Sequence, residues 1–202
     1  MHNESRFPRV LFFAYLAFGA VLGIEPHDRA VWWAENIPLW MIATTLVVMY
    51  LRDARLSNAG YALASVLLFL HTVGGYYTFE RVPFGFVTET FGFARNHYDR
   101  VAHFTVGFYA FGIAELLIAK GKVMRPWVAY LFGIFTIGTA AALYEIIEWI
   151  YADTQGGSAG AAFLGSQGDI WDAQKDMLAD TLGAVFATLL LMLRGVPNKD
   201  AA

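Results

Sequence analysis

The segment GDIWDAQKDMLADTLGA, Gly168 to Ala184, begins with closely spaced aspartates and continues as an almost wholly apolar run to about Leu193. An apolar run of this length is typical of a helix that crosses a membrane, which needs about 20 residues. The aspartates follow one another at spacings of three, four and four residues: Asp169, Asp172, Asp176 and Asp180. On a helix this spacing predicts one narrow acidic face inside an otherwise lipid-compatible segment.

The composition of the whole chain is that of a membrane protein. Hydrophobic residues make up 57% of the 202 positions and charged residues only 15%, which is too apolar for an ordinary soluble domain. The predicted fold is an all-α, polytopic membrane helical bundle of about six transmembrane helices, forming a single integral domain over 1–202. The predicted spans are about 7–24, 35–51, 59–76, 99–119, 127–151 and 172–193.

Basic residues in the joints predict the orientation of the bundle. Cytoplasmic loops carry the excess of Lys and Arg, and nine of them lie on the side of the two termini against five on the other. Both termini are therefore expected in the cytoplasm. The chain has no cysteine, which excludes disulfides and thiolate metal ligands, and a net charge of −3 without a basic face gives no support to nucleic-acid binding.

Polar residues gather at the outer ends of the third to sixth predicted helices. The segment NHYDRVAHF places Asp99 and His103 four residues apart, and ALYEIIEW places Glu145 and Glu148 three apart. His71 lies about one turn below GGYYTFER at the end of the third helix. An ionised carboxylate that faces hydrocarbon costs several kcal/mol, so at this depth each needs a partner, water or a proton.

Each of these features also has a purely structural explanation. Asp169 and Asp172 suit a solvated loop end and a helix N-cap, where the helix dipole favours negative charge. Asp99 and His103 suit a local hydrogen-bonded pair, and an isolated histidine in a span is more often a core residue. Asp180 lies about two turns inside its segment, where a solvated helix end does not explain it.

A bound cation would relieve the repulsion among these carboxylates. Histidine together with carboxylates suits a divalent transition metal, namely zinc, iron or manganese, whereas carboxylates alone would favour magnesium or calcium. Neither Glu-x-x-His nor His-Glu-x-x-His is present, so spacing alone does not name the metal, and no organic cofactor is evident. The expected metal ligands are His71, His103, Glu145 and Asp180.

The first function hypothesis is a membrane-embedded metal-dependent enzyme that acts on a lipid or lipid-linked substrate at an outward-facing polar pocket. Glu148 would act as the general base, and Asp176 as a ligand or a hydrogen-bonding residue that orients one. The expected substrate-binding residues are Arg81, Arg95, Arg100 and Asp99.

The arginines suit a headgroup phosphate, and the structural alternative for them and for Lys175 is pairing with neighbouring acids. The glycine-rich loop 154–169 is expected to be either a mobile lid or a long connector.

Two further hypotheses use the same residues differently. In a proton- or cation-coupled transporter the carboxylates and histidines would bind and release the coupling ion, which requires a path through the membrane. In a non-catalytic accessory protein the polar cluster would only fix helix packing. Membrane lipids are expected partners in all three, and the accessory protein would in addition bind another membrane protein.

Four blocks of the chain resemble the signature blocks of the YjdF family of bacterial inner-membrane proteins: HTVGGYYTFERVPFG, NHYDRVAHF, ALYEIIEW and GDIWDAQKDMLADTLGA. The likeness covers nearly the whole chain and implies a multi-pass protein of the bacterial inner membrane, without a reaction. A fainter resemblance is to VanZ-like membrane proteins, associated with glycopeptide-antibiotic resistance, which carry Asp-x-x-x-Asn-x-x-Gly. Asp176, Asp180 and Gly183 match this spacing, but Asp180 replaces the Asn and Glu148 stands where Gln is expected, so this likeness is a hint about fold.

Overall fold

The structure, a computed structural model, describes residues 5–155 and 166–196, and within those ranges the chain is helical and has no strand. The α-helices of these described ranges are α1 (Phe7–Leu22), α2 (Arg29–Leu51), α3 (Asn58–Tyr77), α4 (Gly85–Phe91), α5 (Tyr98–Val106), α6 (Tyr109–Ala119), α7 (Pro126–Gln155) and α8 (Asp172–Arg194). A short 3₁₀ turn, Ser166–Gly168, precedes α8. Most of the loop predicted to be a lid or a connector lies outside the described residues.

The predicted membrane bundle of about six spans is confirmed. In the described part of the chain, five segments are long and apolar enough to cross a membrane, and α1 is a shorter apolar helix of 16 residues. The fourth span consists of α5 and α6 together, Tyr98–Ala119. The orientation of the termini stays a prediction.

The second span begins earlier than expected, at Arg29 instead of about residue 35. The carboxylate of Asp28 accepts hydrogen bonds from the backbone N–H groups of Ala30 and Val31, at 2.8 and 3.0 Å, and so caps the helix. These two bonds also hold the pKa of Asp28 below its usual range. The helix extends through the polar pair at 35 and 36, which interrupts the apolar pattern, because Asn36 donates its side-chain amide to the Trp32 carbonyl at 2.9 Å.

The joint between the third and fourth spans contains a helix that the sequence did not predict, α4. The end of α3 is set by Thr78 and Phe79, both in the left-handed region at φ 59° and 53°. The backbone N–H of Phe79 donates to the Gly74 carbonyl at 2.8 Å and closes the helix end. The Asn96 side chain then donates to the carbonyls of Glu80 and Val82, at 3.0 and 2.8 Å, which fixes the joint directly before α5.

Two helices form the centre of the bundle. α3 packs against α1, α2, α5 and α6, and α8 packs against α5, α6 and α7. Tyrosine hydroxyls tie the fourth span to α3, since Tyr98 donates to the Leu70 carbonyl at 2.8 Å and Tyr109 to the Ala64 carbonyl at 2.9 Å. These bonds place the start of α5 between α3 and α8.

A buried acid, Glu115, lies at the N-terminal end of α3. Glu115 on α6 is 3% exposed and accepts a hydrogen bond from the Ser57 backbone N–H at 3.0 Å. Ser57 itself caps α3 by accepting from the Gly60 N–H at 3.2 Å. Glu115 therefore satisfies a donor at a helix N-terminus, where a negative charge is stabilised by the helix dipole.

The backbones of α5 and α8 approach most closely at two glycines. A Cβ added to Gly183 would collide with the backbone carbonyl of Phe104, and one added to Gly107 would collide with the backbone of residues 183 and 184. The α-helical pattern is interrupted at the same level, where the N–H of Phe108 bonds three residues back to the Thr105 carbonyl at 3.1 Å. Small residues at such a crossing let two membrane helices pack backbone to backbone.

Replacement of Gly183 by alanine is expected to destabilise the folded protein by about 1–3 kcal/mol or more, because backbone atoms cannot move aside as a flexible side chain can. Thermal unfolding of the detergent-purified protein measures the change. Gly19→Ala is the matched control, since a Cβ there meets nothing within 4 Å. Equal midpoints for the two variants would contradict the close crossing.

Candidate functional site

The aspartates of α8 form a buried row that faces α5. Asp172, Asp176 and Asp180 are only 6%, 4% and 2% exposed, which agrees with the shared face expected from their spacing. α5 and α8 are packed along this face. Three buried carboxylates on one helix repel one another, so the neighbouring helix has to supply donors and positive charge.

Two arginines supply most of that charge. Arg100 on α5 donates one hydrogen bond to Asp172 and another to Asp176, bridging two turns of α8. Arg95, just before α5, donates to Asp172 at 2.7 Å and lies 3.4 Å from Asp169. Both side chains are largely buried, 13% and 10% exposed. Two of the three arginines expected to hold a phosphate, Arg95 and Arg100, are therefore engaged by aspartates.

The outer rim of the cluster lies outside the spanning segments. The hydrogen bond from Lys175, at 2.7 Å, lowers the pKa of Asp169 to about 2, so this carboxylate stays ionised. Burial, together with the positive charges of Arg95 and Arg100, lowers the pKa of His97 below its usual value. The outer rim thus contains the ion pair of Lys175 with Asp169, and the nearby His97 favours its neutral form.

His103 lies at the inner end of the row, with carboxylates on both sides of its ring. Nδ1 is 3.3 Å from both side-chain oxygens of Asp180. Nε2 is 3.7 Å from an oxygen of Asp99 and 3.6 Å from an oxygen of Asp176. When Nδ1 carries the proton, it donates to Asp180, and the lone pair of Nε2 faces the other two carboxylates.

Asp99, His103 and Asp176 form a candidate set of metal ligands. One ligand atom each from Asp99, His103 and Asp176 lie within 4.8 Å of one another. Ligand atoms about 2.1 Å from a tetrahedral ion are about 3.4 Å apart, close to the observed separations from Nε2. The oxygen of Asp176 in this set also accepts a hydrogen bond from Arg100, so the arginine would share that carboxylate with an ion.

The structure brings together some of the predicted site residues and separates others. His103 belongs to the three-residue group, and Asp180 lies behind its ring. Glu145 and Glu148 are half-buried on α7, and both interact electrostatically with His103 from outside the group. Arg81 is exposed and lies 3.6 Å from its neighbour Glu80.

His71 has a different partner, Glu35, which the sequence reasoning missed. The His71 Nε2 atom is 2.9 Å from the Glu35 carboxylate on α2. Glu35 also interacts electrostatically with Tyr144 and Glu148. α2 therefore contributes to the polar residues at this end of the bundle, in addition to the four helices expected from the sequence. The sequence feature that indicates this position is Asp28, a residue type typical of helix N-caps. A cap at Asp28 places residue 35 about two turns inside α2.

Replacement of Arg100 by glutamine is expected to lower the stability of the fold by roughly 3 kcal/mol, because two buried aspartates lose a charged partner. The matched control is Arg81→Gln, whose side chain is 57% exposed and contributes little. Thermal unfolding in detergent compares both variants with the parent. Similar midpoints for the two variants would show that the network does not stabilise the fold.

Comparison with known proteins agrees with the family resemblance seen in the sequence. No solved structure matches the chain. The chain is 35% identical over 171 residues to the inner membrane protein YjdF of Escherichia coli (strain K12), covering 84% of this chain and 81% of that protein. The resemblance to the YjdF family and the multi-pass inner-membrane location are confirmed, whereas the VanZ-like resemblance stays a prediction. A family model described as "Predicted membrane protein (DUF2238)" matches residues 7–196, and the chain therefore belongs to this family.

Proposed function

We propose that the protein is a membrane-embedded metal-dependent enzyme that acts on a lipid or lipid-linked substrate. The observation that carries the proposal is the setting of His103, with Asp180 at Nδ1 and two carboxylates facing Nε2. Histidine ligands of metals usually donate their other ring N–H to a carboxylate or carbonyl, which fixes the ring and its tautomer. Asp180 supplies that contact, and Asp99 and Asp176 complete the ligand set.

The charge balance of the cluster also favours a cation. Five aspartates in the ion-pair network face three basic side chains besides His103, namely Arg95, Arg100 and Lys175. Glu145 and Glu148 add carboxylates beside the same group. A divalent ion at His103 would offset the excess negative charge, and a mixed nitrogen and oxygen donor set suits zinc, iron or manganese.

The surface of α7 supports a lipid substrate. Ile146, Ile147 and Ile150 are exposed on the outer half of this helix, as expected for side chains that face hydrocarbon. Glu145 and Glu148 lie half-buried on the same turns. The acidic group is therefore next to the lipid phase, where a lipid headgroup could approach from the side of the bundle.

Within this proposal each side chain has a distinct role. Asp99, His103 and Asp176 would hold the ion, and when bound it would supply Lewis-acid polarisation of the substrate. Glu148 would accept a proton from the attacking water, as a carboxylate next to hydrocarbon is suited to do. Arg100 holds Asp176 in place through its hydrogen bond. Arg81, exposed on the outer joint, is the arginine left to contact a headgroup.

Proton-coupled transport is the second candidate, and one observation favours it. His71 and Glu35 form a hydrogen-bonded pair, and Glu35 also interacts electrostatically with Glu148, so groups that can carry protons are present on α2, α3 and α7. At the other end of the bundle, however, Glu115 caps α3 and does not extend this series.

Metal content tests the proposed site directly. Inductively coupled plasma mass spectrometry of the detergent-purified protein is expected to find near-stoichiometric zinc, iron or manganese. His103→Ala and Asp99→Asn remove ligands and should lose the metal, whereas Asp180→Asn should weaken metal affinity by roughly 10- to 100-fold. The control is Asp53→Asn, an exposed residue of the joint after α2. A folded parent without metal, or variants that keep it, would overturn the site.

Turnover separates the enzyme from the transporter. Glu148→Gln is expected to keep the metal and to lower metal-dependent turnover of bacterial phospholipids by about 10²- to 10⁴-fold, the usual contribution of a general base. Glu89→Gln, on the exposed face of α4, is the matched control. Ion flux in proteoliposomes that falls in Glu148→Gln, without any lipid turnover in the parent, would instead support transport.

A further inference from the structure

An apolar groove lies between α1, α2 and α3, at the opposite end of the bundle from the aspartates. It has a volume of about 300 Å³. α1 and α2 each pack against α3, but in the described part of the chain they make little contact with each other, which leaves the groove between them. Cavities lined by apolar side chains do not hold water, so at this depth the groove is suited to a hydrocarbon chain.

The groove is confined to one leaflet of the membrane. Pro8 and Tyr15 line it on α1, and the helical rise over the seven residue steps from one to the other is about 10 Å. Half of a hydrocarbon core is about 15 Å thick, so the groove reaches most of the way to the midplane. Leu46 and Leu68 form part of its wall on α2 and α3. A single acyl chain would fill such a space.

The mouth of the groove is basic. Arg9 donates from Nε to the Tyr50 hydroxyl at 3.3 Å, and the guanidinium of Arg55 lies over the ring of Tyr50, 4.6 Å from its centroid. One tyrosine therefore holds two guanidinium groups at the mouth. Arg52 is exposed and directly follows Leu51, which lines the groove, and the acid of this joint, Asp53, lies 3.1 Å from Arg55. Arg9 and the two arginines of the joint between α2 and α3 thus outnumber the acid of that joint.

We infer that this groove binds an anionic phospholipid, with an acyl chain between α1 and α2 and the phosphate at the mouth on Arg9 and Arg52. Guanidinium groups fit phosphate oxygens with paired hydrogen bonds. Basic pockets between transmembrane helices are a known setting for anionic headgroups. The bound lipid would fill the gap beside α1, and the site lies apart from the acidic cluster of the proposed reaction.

Native mass spectrometry of the purified full chain tests the site with two probes that have the same acyl chains, phosphatidylglycerol and phosphatidylethanolamine. The parent is expected to retain one phosphatidylglycerol after phosphatidylethanolamine has been removed. Arg9→Gln should weaken phosphatidylglycerol retention by roughly tenfold, since it removes a charge-assisted contact. Arg125→Gln, an exposed cation outside the groove lining, should leave it unchanged.

A second variant tests the acyl position independently of charge. Ala43→Phe places a ring inside the groove and should abolish retention of the lipid, whereas Ala34→Phe, exposed on the same helix, should not. Equal retention of both lipids by the parent, or unchanged selectivity in Arg9→Gln, would show that only ordinary annular lipid binds and would overturn the inference.

Discussion

The pairing of α5 with α8 is the interaction on which the other features of the structure depend. Asp172 and Asp176 on α8 are buried, and Arg100 on α5 bridges both. Neither side could remain at this depth alone, because an unpaired charge in a low-dielectric interior costs several kcal/mol. The ion pairs between Arg100 and the two aspartates therefore fix the rotation of α8 about its axis and its register along α5.

Below these ion pairs, α5 and α8 remain closely packed towards the other end of the bundle. Gly107 and Gly183 let the two backbones meet about one turn below Asp180 and His103. This contact leaves no room for sliding or rotation, so the distances around His103 are set by backbone contact as well as by charge. Asp99, at the start of α5, is held near the ring by the same arrangement, with the Tyr98 hydroxyl anchoring that helix start to α3.

The fold could be predicted from the sequence more fully than the partners within the site. Helical spacing alone places Asp172, Asp176 and Asp180 on one face, because this depends only on the geometry of a single helix. Their pairing with Arg100 depends on how two helices separated by more than 60 residues are packed, which spacing does not encode. The contact between His71 and Glu35 on α2 is outside the reach of spacing for the same reason. The apolar pattern alone begins the second span near residue 35, whereas the cap at Asp28 places Glu35 inside α2.

The cluster contains more charge than packing requires. Arg95 and Arg100 already pair with Asp169, Asp172 and Asp176, which would be sufficient to join α5 to α8. His103 and Asp180 extend the network further into the membrane, and Asp99 joins it from the start of α5, although apolar side chains of the same volume would pack at lower cost. A histidine between carboxylates at this depth needs protons or a cation to be stable. This excess of ionisable groups at His103 is the reason for proposing a chemical role there.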